Sequence, residues 1–420
     1  MAGVPGSYVF SDWVAPECLR LLTNMLAMTG YANWEYEKEF DREFAVGESV
    51  RVKYPQLFTV TDGQTYSPQA INRINTTITL DQWMQIGFEW DSLERALKLE
   101  RSEEEISKQY LVPAMRKMAQ EAESRFSLFA FNNTNNIVGA LGTTPTSMQT
   151  FSAATTRMWE NAGLDASEKY GMFLTPQMQE NAIAASIALF NPGNEISRAF
   201  KRGYIGEYAN ADWFTSMSLR AFTTGVFATQ ASLTVNLGGQ SGSTLNINCV
   251  TGDTFKVGDR FNIASVNNVN PMTLLSTSRL KQFIITAATT GAASTAALSI
   301  YPAIVGPGSP YQNVDSLPGN TALITMWPGT TITNGTAKSG VLGMALNDQA
   351  FFMAGAKIAN PKESSVEIAA QHQDEETGLS IAFVRAFDPV ERRWINRFDS
   401  LIGFGNAYGD RCAVGIGSAQ

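Results

Sequence analysis

Apolar residues along the 420-residue chain change their period several times, and each change marks a predicted element. Within SDWVAPECLRLLTNMLAMTGYANWEY, Ala15, Leu19, Leu22 and Leu26 recur at helical spacing around Pro16, which predicts a helix after the proline, ended by Gly30. Further on, Val50, Val52 and Tyr54 alternate with Arg51 and Lys53, and Ile74, Thr76, Ile78 and Leu80 alternate in a later run. Period two predicts a hairpin of two strands. Between them Asp62-Gly63 and Ser67-Pro68 signal turns and apolar residues are few, so the tip is extended and has no core of its own. A long two-stranded ribbon is marginal alone in water and should lie on a larger body, a second subunit included.

Ser102 followed by Glu103, Glu104 and Glu105 forms a capping box that opens a long helix running to Phe131. Ile106, Tyr110, Met118, Ala122, Phe126 and Phe129 make its apolar stripe, while Lys108, Arg116, Lys117 and Arg125 decorate the rest. Its length is roughly 43 Å at the usual rise. Pro113 is expected to kink it near Gln109. The acidic start reads as capping and dipole compensation rather than as a carboxylate site.

From Ala153 to Leu219 the pattern is α/β: a helix near Thr155 to Asn161, the apolar strand YGMFL, a helix from Pro176 through Phe190 and a third near Glu195 to Arg202. Between Gly225 and Gly340 charges become sparse, chiefly Asp253, Lys256, Asp259, Arg260, Arg279, Lys281, Asp315 and Lys338, while Gly, Ser, Thr, Asn and Ala dominate. SLTVNL, TLNIN, RFNIASV, KQFIITA, AALSIYP and NTALITMW read as short strands of a small barrel or sandwich. In TFKVGDRFNIASVNNVNP, turns are expected at Gly258-Asp259 and Asn267-Asn268, with Asp259 and Asn267 serving backbone geometry. After Gly340 a helix near Asn347 to Ala354 and the strands GLSIAFVRAFD and RWINRFDSLIGFG follow. A β-rich block flanked by α/β sequence on both sides reads as a domain inserted into its host, and the overall class is α+β.

Composition narrows the chemistry. With 31 basic against 39 acidic residues the net charge is -8, which argues against electrostatic wrapping of nucleic acid. Cys18, Cys249 and Cys412 are far apart and predict neither a disulfide framework nor a zinc site. The start of the chain has no basic region followed by an apolar core, and no run of about 18 apolar residues occurs, so neither export nor a membrane span is predicted. The sequons at Asn75, Asn132 and Asn334 then read as chance matches. His372, the single histidine, sits in the polar stretch AAQHQDEETG and reads as an exposed loop residue, which leaves no histidine-based triad.

Other motifs are weak. GFGNAYG departs from a dinucleotide loop by one residue and no helix follows it. Asp253 and Asp259 lack the further oxygen ligands a hard cation needs and read as turn residues. Arg392, Arg393 and Arg397 interleave with Trp394 and Phe398, but Asp388, Glu391 and Asp399 neutralise the patch, so an ion-pair network within or between subunits is expected there. Neither a catalytic set nor a cofactor or metal site emerges.

The runs VGESVRVKYPQLFTVTDGQTY, DQWMQIGFEW and SKQYLVPAMRKMAQEAESRFSLF, with the tail LSIAFVRAFDPVERRWINRFDSLIGFGNAYGDRCAVGI, resemble the P22 coat protein family of tailed-phage major capsid proteins. The resemblance implies an HK97-like coat fold and a non-enzymatic role in an icosahedral shell around double-stranded DNA. It implies an N-terminal arm (1–35), an E-loop (36–90) and a P-domain with a spine helix (91–145). An A-domain (146–224 and 341–378) would carry an inserted β-barrel-like I-domain (225–340), with closing strands at 379–420. In the family that inserted domain can carry a long loop reaching a neighbouring capsomer; here NLGGQSGSTLN is short and glycine-rich. The implied partners are copies of itself in hexamers and pentamers, a scaffolding protein, a portal, a decoration protein and packaged DNA bound without sequence preference; no membrane is implied. Assembly would take place in the host cytoplasm. Arg51, Lys53, Arg73, Arg393 and Arg397 are the candidate inter-subunit contacts. Two alternatives are an enzyme with a carboxylate-based site in the α/β lobe and a carbohydrate-binding β module. The latter needs an exposed aromatic platform, whereas Phe255, Phe261, Phe283, Tyr301, Tyr311 and Trp327 mostly fit strand-core positions.

Overall fold

A computed structural model describes residues 7–23, 25–34, 49–53, 58, 75–91, 110–162, 170–189, 207–208, 211–327, 336–358, 368–374, 379–391 and 393–418. In chain order its elements begin with α1 (Ser7–Thr23), β1 (Ser49–Lys53), β2 (Asn75–Asp91), α2 (Val112–Asn133), β3 (Ile137–Gly139), α3 (Met148–Glu160), β4 (Tyr170–Leu174) and α4 (Pro176–Leu189). β5 (Glu207–Tyr208), β6 (Ala211–Thr215) and β7 (Ala221–Thr223) precede the short strands β8 (Thr234–Val235), β9 (Gly242–Asn248), β10 (Thr254–Phe255), β11 (Arg260–Val269) and β12 (Ser276–Ile285). Then come β13 (Thr289–Thr290), β14 (Thr295–Ile304), β15 (Ile324–Met326), β16 (Ser339–Leu346), β17 (Phe351–Ala356), β18 (Ile368–Gln373), β19 (Ser380–Asp388), β20 (Arg393–Asn406) and β21 (Ala413–Gly417). The chain divides into two compact units, one from described residues within 7–53, 75–126 and 351–406, the other from 127–350 and 407–418.

The first unit is built on an antiparallel sheet in the order β1-β2-β20-β19-β18, with β17 on the far part of β20. The ribbon read from period two is present: Ser49 to Lys53 pairs with Thr79 to Asn75. Its alternation has a physical outcome, since Val52, Ile78 and Leu80 are buried while Arg51 and Lys53 are exposed. Gly403 and Gly405 of GFGNAYG serve this sheet. A Cβ at Gly403 would come within 2.5 Å of the Thr79 carbonyl oxygen, so glycine is what lets β2 lie so close to β20.

Several expectations are corrected here. The first helix runs Ser7–Thr23 with Pro16 inside it, and it stops at Thr23 rather than at Gly30. Val14, Ala15, Cys18, Leu19 and Leu22 are all buried, and this continuous apolar face holds the helix together across the proline. In α2, Pro113 is the second residue of the α-helical run, which continues directly from the π-helical Tyr110 and Leu111. The capping box at Ser102 and the expected kink at Gln109 lie outside the described residues, as do the tip of the ribbon and the helix expected at Glu195 to Arg202. The helix expected at Asn347 to Ala354 is a turn followed by strand β17, every residue of which is buried. A fully apolar run carries no period, and pairing with β20 decides its state. His372 lies on β18, not in a loop, and is exposed.

The second unit contains a sheet in the order β3-β21-β16-β4-β6-β5, with β7 also on β16. Phe151, Met158, Met172, Met178, Ala345 and Val414 are among the residues that fill the core beneath α3 and α4. The strand YGMFL and the helix after Pro176 appear as read. β7 and β16 pair antiparallel, Thr223 opposite Ser339, so the two ends of the β-rich block lie side by side. That block is a six-stranded sheet in the order β15-β11-β12-β14-β9-β8. Its two edges meet, because Val235 N–H donates to Ala322 O and Ile324 N–H to Leu233 O, both at 2.9 Å, and the sheet closes into a barrel. Phe227, Leu245, Ile247, Phe261, Phe283 and Leu298 are part of its own core. Gly258 turns as expected, at φ +95°, but Asn267-Asn268 lies inside β11, where the pairing with β12 shifts register. The irregularity that looked like a turn is a bulged strand.

Candidate functional site: an arginine clamp, a glutamate latch and an exposed ribbon

The last carbonyls of a helix have no partners within it. At the end of α2 they are met by Arg260, the first residue of β11, which is 1% exposed. Its Nη2 donates to Phe131 O at 2.7 Å, its Nε to Thr134 O at 2.9 Å and its Nη1 to Gly258 O at 2.8 Å. The guanidinium also lies 4.1 Å from the centre of the Phe131 ring. Burial pulls the Arg260 pKa down to about 9, opposed by Asp259, and leaves it charged at neutral pH. Gly258 is required twice over: its backbone is left-handed, and a Cβ would sit 2.6 Å from the Phe131 ring.

Neighbouring groups tie the barrel to the same host elements. Asn135 Nδ2 donates to Gln282 O at 2.7 Å. The Gln282 amide accepts from Ile137 N–H at 2.8 Å and donates to Ile137 O at 3.1 Å, acting as a short piece of strand along the open edge of β3. Trp327 Nε1 donates to Gly139 O at 3.0 Å. Lys281, buried and bonded to Asn268 Oδ1 at 2.9 Å, has its pKa lowered to about 8 by desolvation, partly offset by Asp410.

Asp259 and Asp253 are backbone acceptors, as expected of turn residues, and among the described residues no cluster of three metal-ligating side chains occurs. Asp259 accepts from Lys256 N–H at 2.7 Å and Gly225 N–H at 3.1 Å; Asp253 accepts from Ala228 N–H at 2.8 Å and Val250 N–H at 2.9 Å. Burial raises the Asp259 pKa from 3.8 to about 6, against the pull of those amides. A raised carboxyl pKa means that the folded state holds the proton more tightly than the unfolded one, so this group's contribution to stability falls as pH rises through that range. Between pH 4 and pH 7 the wild type is expected to lose about 2 kcal/mol relative to Asp259→Asn, which cannot titrate. Urea unfolding of both proteins at each pH checks this; a difference that stays flat with pH counts against it.

In the first unit, Glu123 of α2 is 5% exposed and faces the turn after α1. Its carboxylate accepts from the backbone N–H groups of Ala27 at 2.8 Å, Met28 at 3.0 Å and Thr29 at 3.1 Å, and from the Thr29 hydroxyl at 2.8 Å. This capture of three successive amides is what ends α1 early. Reading the chain alone missed it, although an acid beside Ala119, Ala122 and Phe126 on a buried stripe was a usable signal. Arg260 was equally legible in principle, because in a block that avoids charge Asp253, Asp259, Arg260 and Lys281 are all buried.

Of the candidate contact residues, Arg51 and Lys53 are exposed on edge strand β1. Arg393 pairs with Glu89 at 2.6 Å and with Glu391, and Arg397 forks onto Asp399 at 2.8 and 3.0 Å. Asp399 also accepts from Trp83 Nε1 at 2.7 Å. Both arginines therefore sit in an intrachain network. Arg73 and Arg392 lie outside the described residues. Cys18, Cys249 and Cys412 are buried, and no described helix is long and apolar enough to cross a membrane.

Comparison with known proteins adds a whole-chain match. The family described as P22 coat protein, gene protein 5, matches residues 12–417. No curated protein matches the chain. Among solved structures, a chain of Mycobacterium phage Che8 is 11% identical, with a TM-score of 0.47, covering 94% of this chain and 92% of that one. The capsid of Cyanophage P-SCSP1u is 9% identical, with a TM-score of 0.40, covering 91% and 86%. The CUS-3 coat protein I-domain is 24% identical, with a TM-score of 0.19, and covers 24% of this chain and 96% of that one. On the family match, the chain belongs to the P22 coat protein family and is a major capsid protein of a tailed phage.

Proposed function

We propose that the chain builds an icosahedral shell of hexamers and pentamers around double-stranded DNA, with an HK97-like arrangement in which the closed barrel is the inserted I-domain. The observation that carries this reading is the family match over residues 12–417. The exposed cationic row of the ribbon and the barrel's side-by-side entry and exit support it. Heterologous contacts between identical copies close into rings, so each contact repeats throughout the shell. Arg51, Lys53 and Arg73 are the proposed contacts on the ribbon, and Arg393 and Arg397 extend them where their intrachain pairs reach the surface. A net charge of -8 suits a container that must not grip its DNA. A scaffolding protein, a portal and a decoration protein are the further partners of this reading, and the place of assembly is the host cytoplasm.

The test is electron microscopy and sedimentation of the purified chain, expressed with and without a scaffolding partner. Shells, tubes or isolated capsomers are expected; monodisperse monomers under every condition overturn the proposal. Exposed ion pairs contribute little individually, so Arg51→Ala or Lys53→Ala alone should keep assembly rates within about fivefold of wild type. Light scattering reads this, and abolition of assembly by either single change would contradict the idea that repetition supplies the strength.

Removing the barrel should have a different outcome. Joining Thr224 to Lys338 by a short linker is geometrically easy, since Thr224 N–H already donates to Lys338 O at 2.9 Å. The deletion nonetheless strips Arg260 from the end of α2 and Gln282 from the edge of β3. The expected product is an insoluble or wrongly assembling host, and wild-type shells from that deletion would show the barrel to be dispensable.

A further inference from the structure

Lys281 is buried in the barrel with fewer partners than Arg260. It is 4% exposed on β12, and among the described residues its Nζ meets one acceptor, Asn268 Oδ1 at 2.9 Å, although an ammonium has three protons to donate. Desolvation lowers the Lys281 pKa to about 8, with Asp410 opposing and Arg411 and Arg157 assisting. At pH 7 about a tenth of the chains then carry the neutral amine, which is a nucleophile.

Asn268, on the neighbouring strand, is as enclosed, at 2% exposed. It stands where the ladder loses its regular pairing. Asn267 is opposite Leu280 and Val269 opposite Ser276, so Asn268 alone spans on β11 what Thr277, Ser278 and Arg279 span on β12. Its backbone is held twice, by a bridge to Val314 and by the Thr277 hydroxyl, which donates to Asn268 O at 3.1 Å. The irregular stretch thus presents a fixed carboxamide to a fixed amine in a site closed to bulk water. Two reactants held in contact no longer have to find each other, and burial suppresses the hydrolysis that competes with aminolysis.

We propose that Lys281 and Asn268 react to form an intrachain amide that joins β11 to β12 through their side chains. The neutral Nζ adds to Asn268 Cγ and the new C–N bond forms. The Cγ–Nδ2 bond breaks, one Nζ proton passes to Nδ2, and ammonia leaves. Nothing is oxidised or reduced, and no co-reactant is needed. The hydrogen-bonded pair in the structure is the arrangement that precedes the bond. The product staples the two strands that carry Arg260 and Gln282, and closing the chain between 268 and 281 restricts the unfolded state as a disulfide of that span does. The tie lies within one subunit and does not depend on the shell.

The experiment is mass spectrometry of the full-length wild type, unfolded just before measurement, both freshly purified and after several days folded at about pH 8, where half of Lys281 is neutral. A mass about 17 Da below that of the sequence, from loss of one ammonia, is expected in the aged protein. Digestion should yield one joined species carrying both 268 and 281, with no tryptic cut after Lys281. Lys281→Arg and Asn268→Ala should both keep the unshifted mass.

Succinimide formation at Asn268 removes the same mass, but it leaves Lys281 open to trypsin and persists in Lys281→Arg. That result overturns the assignment, and so does an unshifted mass in aged, folded wild type. If either variant fails to fold, the joined or separate peptides of the wild type still decide. Assembly is not read at any point, so the outcome stands whether or not the chain forms shells.

Discussion

Replacing Arg260 with methionine is expected to destabilise the second unit by about 3–5 kcal/mol, because it takes the guanidinium donors from three carbonyls and a favourable positive charge from the buried Asp259 carboxylate. Methionine preserves much of the volume, so the loss reports hydrogen bonding and charge rather than a cavity. Arg260→Lys keeps the charge, but one ammonium cannot serve Phe131 O, Thr134 O and Gly258 O from the positions the planar fork reaches. It should recover part of the loss. The coulombic attraction between Arg260 and Asp259 makes a second, sharper expectation. In a double-mutant cycle, Asp259→Asn combined with Arg260→Met should cost less than the sum of the two single changes, since removing both leaves no unpaired charge. Urea unfolding monitored by tryptophan fluorescence measures all four proteins, and a loss below about 1 kcal/mol for Arg260→Met would show that water replaces the guanidinium without penalty.

Glu123→Ala should come next in size, at about 3–5 kcal/mol, because it orphans three backbone N–H groups and a hydroxyl of which all but Ala27 N–H are fully buried. Its effect is also local in a way that the Arg260 change is not. With the latch gone, the turn at residues 27–29 has no acceptor, and protease cleavage between residues 20 and 34 should accelerate before the rest of the chain unfolds. Glu123→Gln keeps one acceptor oxygen but aims an NH₂ at the remaining amides, so it should lie between wild type and alanine. Unfolding curves together with mapped cleavage sites decide the matter; unchanged cleavage in Glu123→Ala would mean that the apolar face of α1 alone fixes this segment.

Both predictions concern residues whose importance depends on contacts far along the chain. Arg260 meets Phe131 across 129 positions, and Glu123 meets Ala27 across 96. No window of local periodicity spans such distances, and a charged residue in a helix or at a strand start is most simply read as exposed. The same limit explains the corrected elements. Phe351 to Ala356 is apolar throughout and takes its state from β20; the break at Asn267 is absorbed by a bulge; α1 ends where Glu123 captures the next turn rather than where glycine permits an end.

What the sequence determined by itself was everything that depends on period and composition. The alternation around Val52 and Ile78 made the ribbon, YGMFL and the stretches within 380–388 and 393–406 made strands, and the charge-poor block between Gly225 and Gly340 made a six-stranded barrel. Those features follow from which side chains leave water, a property each segment carries alone. Tertiary structure decided which of the few charges are buried, and against what. Burying a charge is tolerated only when distant backbone groups converge on it, and that convergence exists only in the folded chain.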